Sequence, residues 1–276
     1  MIDSNTRLIA LLGDPVAHSV SPAMQNAAFA AAGLNFVYLA FPVPAAAVSG
    51  AVAGLRGLGI RGANITIPHK TAVMPFLDRI DDQARRIGAV NVILNDGGRL
   101  TGCNTDAPGF LAALKCSGFE PSGKKAVVIG AGGAARAVVF ALRGAGASVA
   151  IVNRTRETAA SLAADTGAAA LPMTDAGFSE ALAGASLVVN ATSIGLSPDI
   201  EATPLPAKFL RQGLVVFDIV YRPQQTRLLR DAEAAGCQTI GGLEMLVEQG
   251  ALAFELWAGQ PAPRDVMSGA AAGALA

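Results

Sequence analysis

The chain has 276 residues, enough for two domains that each bury a core. Lys and Arg together number 21, as do Asp and Glu, a balance with no sign of a nucleic-acid surface or a basic membrane patch, so a small molecule is the expected partner. The apolar residues come in short alanine-rich blocks, none near the ~18 uninterrupted positions of a membrane span, and residues 1–12 lack the basic start and long apolar core of a signal peptide; a soluble, cytoplasmic protein is expected. Cys103, Cys116 and Cys237 share no C-x-x-C spacing and His18 and His69 are the only histidines, so neither a disulfide framework nor a metal site is expected, and each cysteine reads as a small, partly buried apolar residue.

Residues 7–12 read as a strand running into the turn Gly13-Asp14-Pro15. In His18-Ser19-Val20-Ser21-Pro22, Ser21 suits a helix N-cap and Pro22 the first helical position, which leaves His18 and Ser19 without a structural reason. Two hydroxyls, Ser19 and Ser21, in a loop at a helix start make a clamp for a polyol or a carboxylate. A helix over 23–32, a strand over 36–43 with Phe36, Tyr38 and Ala40 on one face, and a helix over 44–55 follow. Residues 62–70 alternate, with Asn64 and Thr66 on one face and Ala63, Ile65 and Ile67 on the other. An exposed sheet surface accounts for that pattern, but its polar face leads to Lys70, placed behind Pro68 at an expected helix start, as a candidate for proton transfer.

A helix over 81–87 and a strand over 89–94 carrying Asn91 precede Asn95-Asp96-Gly97-Gly98, a hairpin turn that returns through 99–102. Asn104-Thr105-Asp106 opens a helix to about Lys115; Asp106 is either its N-cap or, at the join of the two expected domains, a site residue.

Residues 126–154 are the most informative stretch. The apolar run 126–129 ends at Gly130-Ala131-Gly132-Gly133-Ala134-Ala135, and a helical stripe of Ala134, Val138, Ala141 and Leu142 begins at once. Gly144 and Gly146 suit the helix end, and a second apolar run over 148–152 completes a βαβ unit. Gly130 permits the tight turn, Gly132 lets a pyrophosphate approach the backbone, Ala135 keeps helix close to strand, and the first helical amides face the phosphates. A glycine turn without a ligand is the plain alternative. Where an NAD site offers a carboxylate to the ribose, this chain has Asn153-Arg154-Thr155; the guanidinium suits a 2′-phosphate, so NADP is favoured over NAD.

A third nucleotide-domain strand over 186–191 ends in Asn190-Ala191-Thr192-Ser193-Ile194-Gly195, and a fourth over 214–221 ends in Asp218-Ile219-Val220-Tyr221. Both endings fall at the edge where open parallel sheets bind ligands. A helix over 226–235 and a short strand over 238–240 precede Gly241-Gly242. Leu243, Leu246, Val247, Gly250, Ala251, Phe254 and Trp257 then form the stripe of a terminal helix, flanked by Met245 and Gln249, that packs back on the first domain. The alanine-rich tail after Met267 is expected to fray.

Nine motifs in order, HSVSP (18–22), NITIPHK (64–70), GAVN (88–91), NTD (104–106), GAGGAAR (130–136), NRT (153–155), NATSIG (190–195), DIVYRP (218–223) and GGLEMLVEQ (241–249), make nearly the whole chain resemble the shikimate dehydrogenase family. The resemblance implies an α/β fold with a mixed-sheet substrate domain over 1–106, a Rossmann dinucleotide domain over 107–240 and a C-terminal helical segment over 241–276 returning to the first domain. It implies NADP-dependent interconversion of shikimate and 3-dehydroshikimate in chorismate biosynthesis by a monomer or homodimer. Carried over by motif, Ser19 and Ser21 bind the substrate carboxylate with Tyr221 nearby, Asn64, Thr66, Asn91, Asp106 and Gln249 hold ring hydroxyls, and Lys70 with Asp106 is the catalytic pair. Gly130, Ala131, Gly132, Gly133, Ala134, Asn153, Arg154, Thr155, Thr192, Ser193, Ile219, Gly242 and Met245 fall to the cofactor. The motif does not fix His69, which takes no role. Two departures bear on specificity. Thr158 stands where relatives that prefer NADP carry a second basic residue, with Arg156 on an expected extended loop, so NAD is a second cofactor to test. SPAMQN (21–26) with Tyr38 is similar to the quinate/shikimate branch, which adds quinate as a substrate. A non-catalytic metabolite sensor is the alternative of another class, against which the retention of both Lys70 and Asp106 speaks.

Overall fold

Residues 9–12 are apolar without interruption and buried, which makes Arg7–Gly13 (β1) an interior strand. The computed structural model describes residues 2–275 and falls into two units, one of Met1–Gly109 with Val247–Ala276, the other of Phe110–Leu246.

In the first unit β1 runs parallel to Phe36–Pro42 (β2) on one side and to Gly62–Ile65 (β3) on the other. The remaining strands are Arg79–Ile80 (β4), Val92–Asp96 (β5) and Arg99–Cys103 (β6). β5 is antiparallel to both β3 and β6 while β4 is parallel to β6, so the mixed sheet reads β2-β1-β3-β5-β6-β4. The hairpin joins β5 to β6 as expected, with φ of +59° at Gly97 and +92° at Gly98, the backbone that matches the strands' twist in a tight turn. Leu12, Val52, Leu55, Ile65, Ile93 and Leu100 belong to the core packed against this sheet.

Ser21–Ala31 (α1), Val48–Gly57 (α2), Asp82–Ile87 (α3) and the start of Asp106–Cys116 (α4) complete the N-terminal part. Ser21 is not the N-cap of α1. That position is Val20, and Ser21 lies inside the first turn, where its amide donates to Ser19 Oγ at 3.2 Å. A separate 3-10 turn, Ala45–Ala47, precedes α2, so the helix expected from Pro44 starts at Val48.

The chain returns to this unit through Gly242–Ala258 (α9), whose residues from Val247 on belong to it. Phe254 stacks on Phe29 at 5.3 Å and Gln25 donates to the Gly250 carbonyl. A Cβ on Gly62 would lie 2.4 Å from Trp257 Nε1 and 2.5 Å from the Ile93 carbonyl; the bare glycine lets the indole lie on the strand and donate to that carbonyl at 3.1 Å. The tail does not fray. Arg264–Gly273 (α10) packs on α1 with Met267 and Ala271, one turn apart, fully buried.

The second unit has six parallel strands: Lys125–Ile129 (β7), Ser148–Asn153 (β8), Ala169–Pro172 (β9), Ala185–Asn190 (β10), Val215–Asp218 (β11) and Gln238–Ile240 (β12). Their order, β9-β8-β7-β10-β11-β12, is that of a Rossmann sheet, with the winding reversed between β7 and β10. The helices are Gly133–Gly144 (α5), Arg156–Thr166 (α6), Asp175–Leu182 (α7) and Arg227–Ala234 (α8). The strand expected third is β10, the fourth, because β9, Ala-Ala-Leu-Pro, has no β-branched or aromatic residue to mark it as a strand: it is an edge strand with three of four residues exposed. The expected strand over 214–221 is likewise only Val215–Asp218. Cys103 is buried, but Cys116 is exposed, contrary to expectation, because it ends α4 on the solvent side. Among the described residues no helix is long and apolar enough to cross a membrane.

Candidate active site

In the first unit β3 ends at Ile65 and the chain turns towards Lys70. No helix begins there: residues 70–73 are turns and only Met74–Phe76 forms a 3-10 helix. Lys70 is instead placed by its main chain, whose carbonyl accepts from Val90 N at 2.8 Å. Asp106 is the first residue of α4, and Asn104 takes the capping task by accepting from Ala107 N, which leaves the Asp106 carboxylate for other partners. Lys70 Nζ donates to Asp106 Oδ2 at 2.6 Å, and the two side chains are only 14% and 5% exposed. A pair so screened from water adds little stability but fixes geometry.

Asn91 braces the pair. Its Oδ1 accepts from Thr105 N at 2.7 Å; an amide N–H can only donate, so the other end of the Asn91 amide must carry the hydrogens. That end donates to Asp106 Oδ1 at 2.8 Å and Thr105 Oγ1 at 3.0 Å, with Gln249 Oε1, on α9, at 3.4 Å. The Asn91 carbonyl accepts from Asn64 Nδ2 at 3.1 Å, and Asn64 Oδ1 accepts from the Tyr38 hydroxyl at 2.7 Å. Asn64, Asn91, Asp106, Lys70 and Gln249 are thus one hydrogen-bonded group. Thr105 and Tyr38 are its members that the sequence reading leaves without a role; NTD holds the signal for Thr105, and nothing local marks Tyr38 as a partner of Asn64.

Ser19 and Ser21 form a local pair, and Thr66, half-buried after β3, sits against Gly13, where a Cβ would come 2.3 Å from its methyl. His69 is buried with Nε2 2.6 Å from the Val43 carbonyl, an acceptor only, so that nitrogen carries the proton and is spent on the fold.

In the second unit, the carboxyl edge of the sheet gathers the glycine turn. Gly130, with φ of +117°, packs so closely that a Cβ would be 2.9 Å from the Ala191 carbonyl and 3.0 Å from the Thr192 methyl. Gly132 is the N-cap of α5, exposed, with open space where a side chain would stand. That space, the free amides of Gly133 and Ala134 at the helix start and buried Ala135 beneath fit a dinucleotide diphosphate. Ala131 borders the turn, half-buried. Past β8, Asn153 donates to the Thr155 carbonyl and to Thr158 Oγ1, which shapes the loop and leaves Arg154 and Thr155 exposed beside it. Arg156 is not on an extended loop; Thr155 is the N-cap and Arg156 the first residue of α6.

A buried network holds the two loops that follow β10 and β11. Asp218, fully buried, accepts from Asn190 Nδ2 at 2.9 Å, Val220 N at 3.0 Å and Thr226 Oγ1 at 2.6 Å. Asn190 Oδ1 in turn accepts from the Thr192 amide and hydroxyl. Burial pushes the Asp218 carboxyl up to about 6, against the opposing pull of these donors. Ser193 is exposed beyond Thr192, Ile219 N donates to the Asn190 carbonyl, and Tyr221 is half-buried two residues on. Gly242 opens α9 against this loop, where a Cβ would meet the Ile219 carbonyl at 2.4 Å, and Met245 is buried one turn further.

Three family models match the chain: the shikimate dehydrogenase substrate binding domain at residues 11–93, shikimate / quinate 5-dehydrogenase at 111–220, and the shikimate 5'-dehydrogenase C-terminal domain at 242–271. A shikimate dehydrogenase (NADP(+)) of Moorella thermoacetica is 52% identical over 273 residues, 96% of this chain and 92% of that protein. The solved shikimate 5-dehydrogenase of Thermus thermophilus, in complex with NADP(H) and shikimate, is 46% identical with a TM-score of 0.90 over 98% of this chain and 100% of that one. A quinate dehydrogenase from Corynebacterium glutamicum in complex with NAD is 32% identical, with a TM-score of 0.85 over 96% and 98% of the two chains.

Proposed function

The chain belongs to the shikimate dehydrogenase family, and on that premise we propose that it interconverts shikimate and 3-dehydroshikimate with NADP, a step of chorismate biosynthesis. The observation that carries this reading is the Lys70–Asp106 pair, shielded from water and braced by Asn91. When bound, NADP supplies the hydride acceptor or donor. Lys70 Nζ takes the proton of the C3 hydroxyl as shikimate is oxidised and returns it in the reduction, and Asp106 holds the ammonium form and orients it. Asn64, Thr66, Asn91 and Gln249 hold the ring hydroxyls, Ser19 and Ser21 the carboxylate, with Tyr221 as a further contact. Gly130–Ala134 would cradle the diphosphate, Asn153, Arg154 and Thr155 the adenosine end with its 2′-phosphate, and Thr192, Ser193, Ile219, Gly242 and Met245 the nicotinamide half.

One observation favours a second reading, a quinate/shikimate enzyme that also takes NAD. Arg154 is the one cation of the NRT turn, and Thr158, where a second would stand, is bonded to Asn153 and the Thr155 carbonyl. Initial rates of dinucleotide reduction with shikimate and quinate, each paired with NADP and NAD, decide. Activity confined to shikimate with NADP supports the first reading; comparable rates with quinate or NAD support the second. No turnover in any pairing would overturn both.

A further inference from the structure

The orientation of the Asn64 amide is set by two groups that no motif joins. The Asn91 carbonyl can only accept, so the nitrogen of Asn64 faces it and the oxygen faces Tyr38. Tyr38 lies on β2 and Asn64 on β3, with β1 between them: Ile9 is level with Tyr38 on one side and Gly62 on the other, and Asn64 is two residues further along. The Tyr38 side chain therefore spans the central strand to reach Asn64 at 2.7 Å, and it is fully buried on the way. Trp257 backs it, ring centroids 6.2 Å apart, in the space that Gly62 leaves empty.

We propose that Tyr38 is a positioning residue for the substrate: its hydroxyl occupies Asn64 Oδ1 and commits Asn64 to present its remaining N–H, as a donor, to a ring hydroxyl of the bound acid. The proposal rests on the reading above that Asn64 holds a substrate hydroxyl. Without the Tyr38 hydroxyl, Asn64 Oδ1 is left short of a donor and the bond to the Asn91 carbonyl alone holds the amide, so the plane in which its remaining N–H meets the substrate is no longer fixed.

Tyr38→Phe removes one oxygen and keeps the ring against Trp257. In steady-state assays Y38F is expected to raise KM for shikimate about fivefold, the worth of one hydrogen bond, with KM for NADP unchanged and kcat altered less than about twofold. Asn64→Ala is expected to raise KM for shikimate by at least about tenfold, and the double variant to match N64A alone, because Tyr38 acts through Asn64. Asn64→Ser replaces N64A in the cycle if that variant does not fold. A wild-type KM in Y38F, or a Y38F penalty that persists undiminished in the double variant, overturns the proposal. Unchanged KM for shikimate in N64A overturns the placement of Asn64 itself, and the proposal with it, whatever Y38F does.

Discussion

Asn91 donates to Asp106 on the carboxylate oxygen opposite the one that Lys70 holds. Each oxygen thus has its own partner, and the carboxylate cannot rotate without breaking a bond on both sides. Because Asn91 is itself fixed by the Thr105 amide, the position of Lys70 Nζ traces back to main chain at the start of α4.

Replacing Lys70 is the first test of the proton-transfer role proposed for it. Lys70→Met is expected to lower kcat ~10²–10⁴-fold while the affinity for NADP, measured by fluorescence titration, stays at the wild-type value. Asn91→Ala, which leaves Lys70 and Asp106 in place but unbraced, is expected to cost about tenfold in kcat. A K70M enzyme that turned over at the wild-type rate would take Lys70 out of the chemistry.

Arg154 is exposed past β8, and the 2′-phosphate contact proposed for it can be tested by itself. Its replacement by Ala is expected to raise KM for NADP about tenfold or more, the value of a charge-assisted pair, and to leave KM for NAD as it was. Parallel rises for both nucleotides would mean that Arg154 shapes the loop and does not read the 2′-phosphate.

Asp218 gives the protein a pH-dependent term of definite sign. Its folded value of about 6 lies above the ordinary 3.8, so the native state binds the proton more tightly than the unfolded chain. The contribution is fully present below pH ~4 and is lost as pH rises through 6, up to about 3 kcal/mol at neutrality. Urea unfolding of the wild type and of Asp218→Asn should therefore show the wild type gaining on the variant between pH 7 and pH 5. A constant difference across that range would contradict it.

His69 adjoins Lys70 and invites assignment as a base, but its Nε2 proton is given to Val43. His69→Ala is expected to lower stability by about 1–3 kcal/mol, the cost of a stranded buried carbonyl, and to leave both limbs of the pH–rate profile unmoved. A shifted limb would restore it to the mechanism.

The features legible in the chain are those whose cause is local. The turn after β7, the hairpin at Gly97-Gly98 and the helix after Asn104-Thr105-Asp106 each follow from a few adjacent residues. Misreadings arise where two local explanations compete. Ser21-Pro22 has the composition of a cap, yet Ser19 supplies the bond; Pro68 suggests a helix at Lys70 where the chain makes turns. α10 escapes notice because an alanine-glycine run has almost no apolar contrast, and only the burial of Met267 and Ala271 against α1 makes it a helix. The contacts that aim the site side chains, Tyr38 to Asn64 across a strand and Asn91 to Gln249 across 158 positions, have no local signature at all.

The first unit is assembled from both ends of the chain, with Trp257 laid on Gly62 and α10 on α1. Synthesis runs in one direction, so the second unit has all its residues once Leu246 has been added, whereas the sheet that bears Lys70 lacks its cover until α9 and α10 have followed. The apolar faces of α1 and β3 wait, uncovered, for the whole length of the Rossmann unit to be made, and the unit that holds the Lys70–Asp106 pair is the last to close.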